Sequence, residues 1–363
     1  MNAKKYNNIK LFIGISKAVL TFVLILWFLL SGFSSSLVEY LRNYTQNDYL
    51  LFVAFVSVTG FAMAVLFFPL NFYSGFILEH KYNLSNQNFW QWAWENIKST
   101  IVGGIIGLPL LMIFYYSLRT YGNYWWLPFT IILFIVSVVL AKFLPVIILP
   151  LFYKIKPLEN EELKQKVKTL ARNAGMKIEN LYQFNMSKNT KKANAMFTGL
   201  GKTKKIILGD TLLEKFNDDE IETVIAHELG HYKHKHIIKN LITGAVSSFL
   251  TFYLMAYFYE MSLPWFGFSE ISQIDAIPLL SLWAMLTGLI LEPLTNIISR
   301  KFEYEADRYA VVSTHKKEAF IRALEKLTEQ NLSDKDPHPF VEWFFYSHPS
   351  VKNRIKNLRA VKI

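Results

Sequence analysis

The chain has 363 residues and a formal net charge of +11, with 39 Lys and Arg against 28 Asp and Glu. Apolar residues make up 52% of it and charged residues only 18%, whereas soluble domains usually carry about 25% charge. This composition excludes a disordered chain and disfavours a soluble enzyme of ordinary make-up. Because cysteine is absent, disulfides, thiolate zinc sites and cysteine nucleophiles are excluded, and any metal site must use His and carboxylates.

Six apolar runs are long enough to cross a bilayer, which takes about 20 helical residues. They occupy residues 11–33, 50–70, 101–118, 125–150, 237–257 and 276–298. Buried core helices of a soluble protein are the alternative, but six runs of this length favour a mainly α-helical, multi-pass membrane protein. The first run is too long for the apolar region of a cleaved signal peptide.

Loop charges predict the orientation of the spans. The N-terminal segment and the regions after the second and fourth spans carry several Lys, whereas residues 258–275 contain neither Lys nor Arg. Since positively charged loops stay on the cytoplasmic side, the N-terminus, residues 151–236 and the C-terminus are expected in the cytoplasm. The host membrane would be a bacterial inner membrane or the endoplasmic reticulum. A nucleic-acid partner is not expected, because no basic groove with interleaved aromatic residues is present.

Hydropathy divides the chain into four sections, two of them polar. They are the N-terminal membrane helices at 1–150, a first polar segment at 151–236, a membrane hairpin at 237–298 and a second polar segment at 299–363. Within the first polar segment, sequence patterns predict an amphipathic helix at 160–174, strands at 180–186, 195–198 and 204–208, and a turn at 198–201. A further helix is expected after Asn217, where Glu220 completes a capping box.

That further helix carries the motif His227-Glu228-Leu229-Gly230-His231. On a helix, positions i and i+4 share one face, so both imidazoles can bind one Zn²⁺ with Glu228 beside the open coordination position. Glu228 can then take a proton from the attacking water and deliver it to the leaving amine. The alternative is a solvated polar turn, or a group of basic His residues near a membrane surface.

A catalytic zinc of this type needs a third protein ligand. Glu303 is the candidate, and Asp307 follows one turn later, where it could hold the outer nitrogen of a ligating His. Helix geometry turns Glu305 about 200° away, so it is expected to meet solvent or Arg308. Two alternatives stay open on spacing alone: Glu303 could be an ordinary surface residue, and the intramembrane Glu292 is a rival ligand.

The remaining candidates have weaker support from the residues themselves. His234 and His236 fall outside the ligand face by spacing and are expected to be plain polar residues at a helix end. His348, in a Tyr-Ser-His-Pro sequence, is a weak candidate for an oxyanion donor. A peptidase also needs a strand edge that pairs with an extended peptide, and the stretch containing Asn194 and Ala195 could supply it. The alternative for that stretch is a structural hairpin strand.

Taken together, these pieces resemble the type I CAAX prenyl protease family, the membrane zinc endopeptidases of yeast mating-pheromone maturation and prelamin A processing. The resemblance extends from about residue 65 to residue 360. It rests on segments 79–87, 150–158, 207–213, 227–231, 299–307 and 346–349, with Ser187-Lys188 and Asn194-Ala195. The first segment and the Pro157-Leu158 junction also separate the chain from the shorter heat-shock-type membrane metalloproteases that share the zinc motif.

The resemblance implies a fold of membrane helices that enclose a large chamber, with a zincin-like α+β catalytic domain on the cytoplasmic side. By this resemblance, zinc is bound by His227, His231 and Glu303, and Glu228 acts as the general base. Substrate or transition state is contacted by Asn194, its strand neighbour Ala195 and His348. The site is supported by Asp307 and Arg354. Eukaryotic members usually have seven spans, so six spans and a compact catalytic segment indicate a short, bacterial-like member.

The sequence therefore predicts a zinc endopeptidase that removes the C-terminal tripeptide from prenylated proteins. Its expected partners are one Zn²⁺ per chain, a peptide or protein substrate and the lipid bilayer. One alternative is a membrane quality-control metalloprotease that needs no lipid on its substrate. The other is a zinc-binding transporter or receptor, which would not need Glu228 and would be expected to have broken helices in both halves.

Overall fold

The computed structural model describes residues 2–175, 181–198 and 205–362, most of which are helical. The helices are α1 (Asn2–Leu30), α2 (Phe33–Arg42), α3 (Asp48–Phe72), α4 (Leu78–Lys81), α5 (Phe89–Tyr121), α6 (Trp126–Phe143), α7 (Leu149–Phe152), α8 (Glu161–Asn173), α9 (Asp210–Lys215), α10 (Asp218–Lys233), α11 (His236–Ser262), α12 (Pro278–Thr314), α13 (Lys317–Gln330), α14 (Pro339–Phe345) and α15 (Val351–Ala360). The strands are β1 (Ile155–Pro157), β2 (Leu181–Phe184), β3 (Ala195–Thr198) and β4 (Lys205–Gly209).

Among the described residues, six helical segments are long and apolar enough to cross a membrane, which confirms the six predicted spans. They are Asn2–Leu30, Asp48–Lys81, Phe89–Tyr124, Trp126–Phe152, His236–Phe266 and Ile274–Thr314. The last segment continues to Thr314, although the apolar run that predicted it ends at residue 298. Backbone hydrogen bonding does not depend on apolar side chains, so α12 extends past the apolar run and carries a polar end into the second polar segment.

A four-stranded sheet forms the β part of the structure. The strand order is β1-β2-β4-β3, with β2 parallel to β4 and the other two pairs antiparallel. The three predicted strands are present, whereas β1 has only three residues, too few to show an alternating pattern. Among the described residues β3 is an outer strand, with Ala195 opposite Leu208 of β4. The predicted turn at 198–201 lies outside the described residues, except for residue 198.

The polar segments share one hydrophobic core, which includes residues of α8, the sheet and α10. The predicted amphipathic helix is confirmed, because Leu163 and Val167 of α8 are fully buried in this core together with Leu229 of α10. Full burial of such a side chain contributes roughly 2 kcal/mol. The predicted capping box is also present: the Asn217 side chain accepts from the Glu220 N–H at 3.0 Å, and the Glu220 carboxylate accepts from the Asn217 N–H at 3.1 Å.

Glu79, at the end of the second span, joins the first membrane helix to the segment that leads into β3. Its carboxylate accepts a hydrogen bond of 2.5 Å from the Tyr6 hydroxyl and pairs with Lys10, both on α1. The same carboxylate lies 3.0 Å from the Lys192 ammonium, two residues before Asn194. These contacts fix the start of β3 relative to two membrane helices.

We expect Glu79→Gln to lower the free energy of unfolding by about 2 kcal/mol, which is typical of hydrogen bonds to a charged group. The amide keeps the size of the side chain but removes the charge that both Lys partners require. The measurement is the melting temperature of the purified protein in detergent. Glu159→Gln is the control, because the exposed Glu159–Lys156 pair contributes little to stability. An equal fall of the melting temperature in both variants would contradict the expectation.

Candidate functional site

Two imidazoles of α10 lie one helical turn apart and point toward the same space. The Nε2 atoms of His227 and His231 are 3.2 Å apart. His227 is buried, with 8% of its surface exposed, while His231 is half-buried. The i, i+4 spacing therefore has the consequence expected from the sequence: both rings present one nitrogen to a common point.

The third member of the group comes from α12, which packs closely against α10. A Cβ built on Gly230 would lie 2.9 Å from Ala306 Cα and 3.1 Å from the Ala306 carbonyl oxygen, so only glycine permits this approach. As a result, the Glu303 carboxylate lies 3.5 Å from His227 Nε2 and 3.4 Å from His231 Nε2. Among the described residues, these three form the one group of His and acidic side chains arranged to hold a metal ion.

The rival carboxylate, Glu292, is not part of this group. It lies eleven positions before Glu303 on the same helix, about 16 Å along the axis at 1.5 Å per residue. Its side chain lines a separate apolar groove of about 800 Å³ between α1 and α12. The structure therefore removes Glu292 as the third ligand.

The donor atoms of His227, His231 and Glu303 fit a metal ion. Bonds of about 2.0–2.1 Å in a tetrahedron place the ligand atoms roughly 3.3 Å apart, and the two Nε2 atoms are 3.2 Å apart. The Glu303 carboxylate approaches the two rings with different oxygens, Oε2 at 3.5 Å from His227 Nε2 and Oε1 at 3.4 Å from His231 Nε2. One donor atom of each residue lies within 4.8 Å of the other two. In addition, Glu303 Oε2 is buried and has no hydrogen-bond partner of acceptable geometry. A cation at this point would satisfy that oxygen, since a buried oxygen without a hydrogen bond is costly.

Asp307 and Arg354 lie directly behind His227. Asp307 is fully buried, and its Oδ1 atom is 2.9 Å from His227 Nδ1. The Arg354 guanidinium binds both carboxylate oxygens of Asp307, at 2.5 and 2.9 Å. Burial opposes the charged form of His227, but its hydrogen bonds with Asp307 and Glu303 outweigh burial and raise its pKa to about 9. A metal that binds this ring must therefore displace a proton.

Glu305 and His236 differ from the sequence expectation. Glu305 turns away from Glu303 and stays partly exposed, and its Oε2 atom lies 3.0 Å from His236 Nε2, a partner that the spacing did not predict. His236 is 1% exposed, and its Nδ1 atom lies 2.9 Å from His231 Nδ1. The reason is a corner between α10 and α11, where Lys235 adopts a left-handed φ of 58°. Helical spacing along α10 does not extend past such a corner, so it could not locate His236.

His234 also lies at this corner, at the C-terminal end of α10. Its ring stacks over that of His236, with ring centroids 5.6 Å apart. It contributes no atom to the metal group, as the spacing predicted. The sequence gives little indication of this corner. Residues with a left-handed backbone are usually Gly or Asn, whereas here the position is occupied by Lys235.

A cavity of about 400 Å³ opens onto the metal group. It is lined by Glu228, the residue after His227, by Asn194 and Ala195, where β3 begins, and by His348. The His348 side chain is 66% exposed, and its Nδ1 atom lies 3.0 Å from Glu303 Oε2. The structure thus brings the candidates for general base, strand edge and oxyanion donor around one space.

Two family profiles match adjacent parts of the chain. The family profile described as "Peptidase family M48" matches residues 157–362. The chain belongs to peptidase family M48. A second profile, "CAAX prenyl protease N-terminal, five membrane helices", matches residues 1–154. In that range, the described residues of this M48 peptidase contain four helical segments long and apolar enough to span a membrane, together with the shorter α2. Membership in this metalloprotease family implies a bound metal ion.

Individual relatives cover most of the chain. An uncharacterised metalloprotease of Bacillus subtilis, YhfN, is 31% identical over 366 residues, covering 98% of this chain and 84% of that protein. CAAX prenyl protease 1 of Saccharomyces cerevisiae is 33% identical over 312 residues, covering 81% and 68%. The crystal structure of S. mikatae Ste24p superposes with a TM-score of 0.87 at 28% identity, covering 98% of this chain and 88% of that one. This M48 peptidase is therefore a multi-pass membrane protein with the fold of Ste24p.

We expect Gly230→Ala to destabilise the M48 peptidase by about 1–3 kcal/mol, as overpacking of a close contact does. The added methyl group must push α10 away from Ala306, which also separates Glu303 from the two His rings. Melting temperature and bound metal per chain, measured on the purified protein, should both fall. Gly244→Ala is the matched control, because a Cβ there has no neighbour within 4 Å; unchanged metal content in Gly230→Ala would contradict the prediction.

Proposed function

We propose that this M48 peptidase is a zinc endopeptidase that removes the C-terminal tripeptide from prenylated proteins. The observation that carries the proposal is the triangle of donor atoms from His227, His231 and Glu303, with Glu228 lining the same cavity. Two imidazoles and one carboxylate are the ligand set of a catalytic zinc. The substrate class is taken from relatives such as the yeast protein, which is named CAAX prenyl protease 1.

In the proposed hydrolysis of the peptide bond, several residues of this chain have separate roles. A bound zinc ion would supply Lewis acidity that polarises the scissile carbonyl and makes water easier to deprotonate. Glu228 accepts the proton of the attacking water and passes it to the leaving amine. His348, whose Nδ1 atom lies 3.0 Å from Glu303 Oε2, donates a hydrogen bond to the oxyanion that develops. Asp307 and Arg354 hold His227 in the orientation that presents Nε2.

The substrate peptide would lie in the cavity as an extended strand. β3 is an outer strand among the described residues, and its first residue, Ala195, lines the cavity together with the preceding Asn194. An extended peptide can add to such an edge through backbone hydrogen bonds, which position the scissile bond irrespective of most side chains. The Asn194 amide then supplies a side-chain contact next to the bond that is cleaved.

The orientation proposed from loop charge places the N-terminus and both polar segments in the cytoplasm. The four sections then correspond to N-terminal membrane helices at 1–150, a catalytic segment at 151–236, a membrane hairpin at 237–298 and a second catalytic segment at 299–363. The host membrane in this proposal is a bacterial inner membrane or the endoplasmic reticulum. Such an arrangement presents the cavity to C-termini of cytoplasmic proteins that are anchored to the bilayer by a lipid.

We expect Glu228→Gln to retain one zinc per chain and to lose peptidase activity by at least about 100-fold, because general-base catalysis typically contributes that much or more. Zinc content measured on the purified protein separates loss of chemistry from loss of the metal. Glu329→Gln, on the exposed side of α13, is the control and should keep full activity. Substantial residual cleavage by Glu228→Gln would refute the assigned role.

The substrate class is tested by cleavage of a farnesylated C-terminal CAAX peptide beside its unfarnesylated counterpart, in detergent, with and without a zinc chelator. We expect chelator-sensitive cleavage of the lipidated peptide alone. Equal cleavage of both peptides would instead support a quality-control protease that needs no lipid. If neither peptide is cleaved while zinc is bound, the prenyl protease assignment fails, and the protein is either a peptidase of another specificity or a zinc-binding transporter or receptor.

A further inference from the structure

The two His residues of the metal group have different outer partners. His227 Nδ1 meets the Asp307 carboxylate directly, at 2.9 Å. His231 Nδ1 instead meets His236 Nδ1 at 2.9 Å, and His236 Nε2 meets the Glu305 carboxylate at 3.0 Å. Both paths end on a carboxylate of α12, although the second passes through an intervening imidazole from α11.

Hydrogen-bond chemistry allows one consistent assignment of protons along the second path. His231 Nε2 faces Glu303, so it is the nitrogen available to a metal, and Nδ1 must carry the proton. His236 Nδ1 then accepts that N–H, which leaves the His236 proton on Nε2. This second N–H donates to the Glu305 carboxylate, which is an acceptor only. Each donor has an acceptor, and no alternative tautomer of His236 would serve both neighbours.

The surroundings hold the intervening ring in place. His236 is buried and stacks on Phe302, with ring centroids 4.4 Å apart and planes 12° apart. The Lys239 ammonium lies 3.6 Å from Glu305 Oε2 and above the Phe302 ring. This cation favours the ionised form of Glu305, the form that the path requires.

We propose that His236 and Glu305 are positioning residues for the metal ligand His231: they fix its tautomer and ring orientation and strengthen its Nε2 as a donor. The inference rests on the proposed zinc at His227, His231 and Glu303. It makes α12 the source of one ligand and of both outer carboxylates, since Glu303, Glu305 and Asp307 fall within five consecutive residues. Outer partners of this kind typically change metal affinity by about 10- to 100-fold.

Glu305→Gln tests the inference, because the amide keeps the shape of a half-exposed side chain and removes only its charge. Zinc affinity is measured on the full-length protein in detergent, by competition with a chelator of known affinity, together with the melting temperature of the zinc-free form. We expect zinc binding to weaken by about 10-fold or more, with the zinc-free melting temperature equal to that of the Glu329→Gln control. A fall in melting temperature with unchanged zinc affinity would show a structural role and overturn the inference.

The variant His236→Gln provides a second, independent test of the inference. We expect it to weaken zinc binding at least as much as Glu305→Gln does, and the double variant to be no weaker than His236→Gln alone, since both residues act through one path. Additive losses would overturn the inference. If the unaltered protein binds no zinc, the proposed function itself fails; if it binds zinc and both single variants bind it equally well, the proposed function stands and only the role of His236 and Glu305 is refuted.

Discussion

The close approach of α10 to α12 at Gly230 is the constraint on which the site depends. Backbone atoms of Ala306 occupy the place where any larger residue would put a side chain. Because the two helices meet there, a carboxylate that is 72 positions from His231 in sequence comes within 3.4 Å of its Nε2 atom. The same contact sets Asp307 behind His227 and Glu305 beside His236. One small residue in the motif thus determines where three acidic side chains of the other helix lie.

The membrane part and the catalytic part are one structure rather than two joined units. α12 begins in an apolar run and continues through Glu303 to Thr314, so the hydropathy change near residue 298 is not a break in the helix. At the other end of the chain, Glu79 connects α1 and the second span to the segment before β3. The cavity that holds the metal group is therefore built on elements that the bilayer also supports.

Much of this organisation was predictable from local sequence. Hydropathy located the six spans, because each apolar run is longer than a core helix usually is, and the i, i+4 rule placed His227 and His231 on one face. Spacing alone could not choose between Glu303 and Glu292, since that choice depends on where α12 meets α10. The position of His236 could not be predicted from the sequence for a related reason. It depends on the left-handed backbone of Lys235, and lysine rarely adopts that conformation. β1 was missed because three residues carry no periodicity.

The corner at Lys235 has a consequence for the lipid surroundings. α11 starts at His236 and is one of the six spans, so its first residue is also the neighbour of His231. A helix that does not match the hydrocarbon thickness adjusts by tilting. Tilting of α11 about this corner moves His236 relative to α10, and with it the hydrogen bond behind His231. The hydrogen bond behind His231 is therefore linked to the tilt of a membrane-spanning helix.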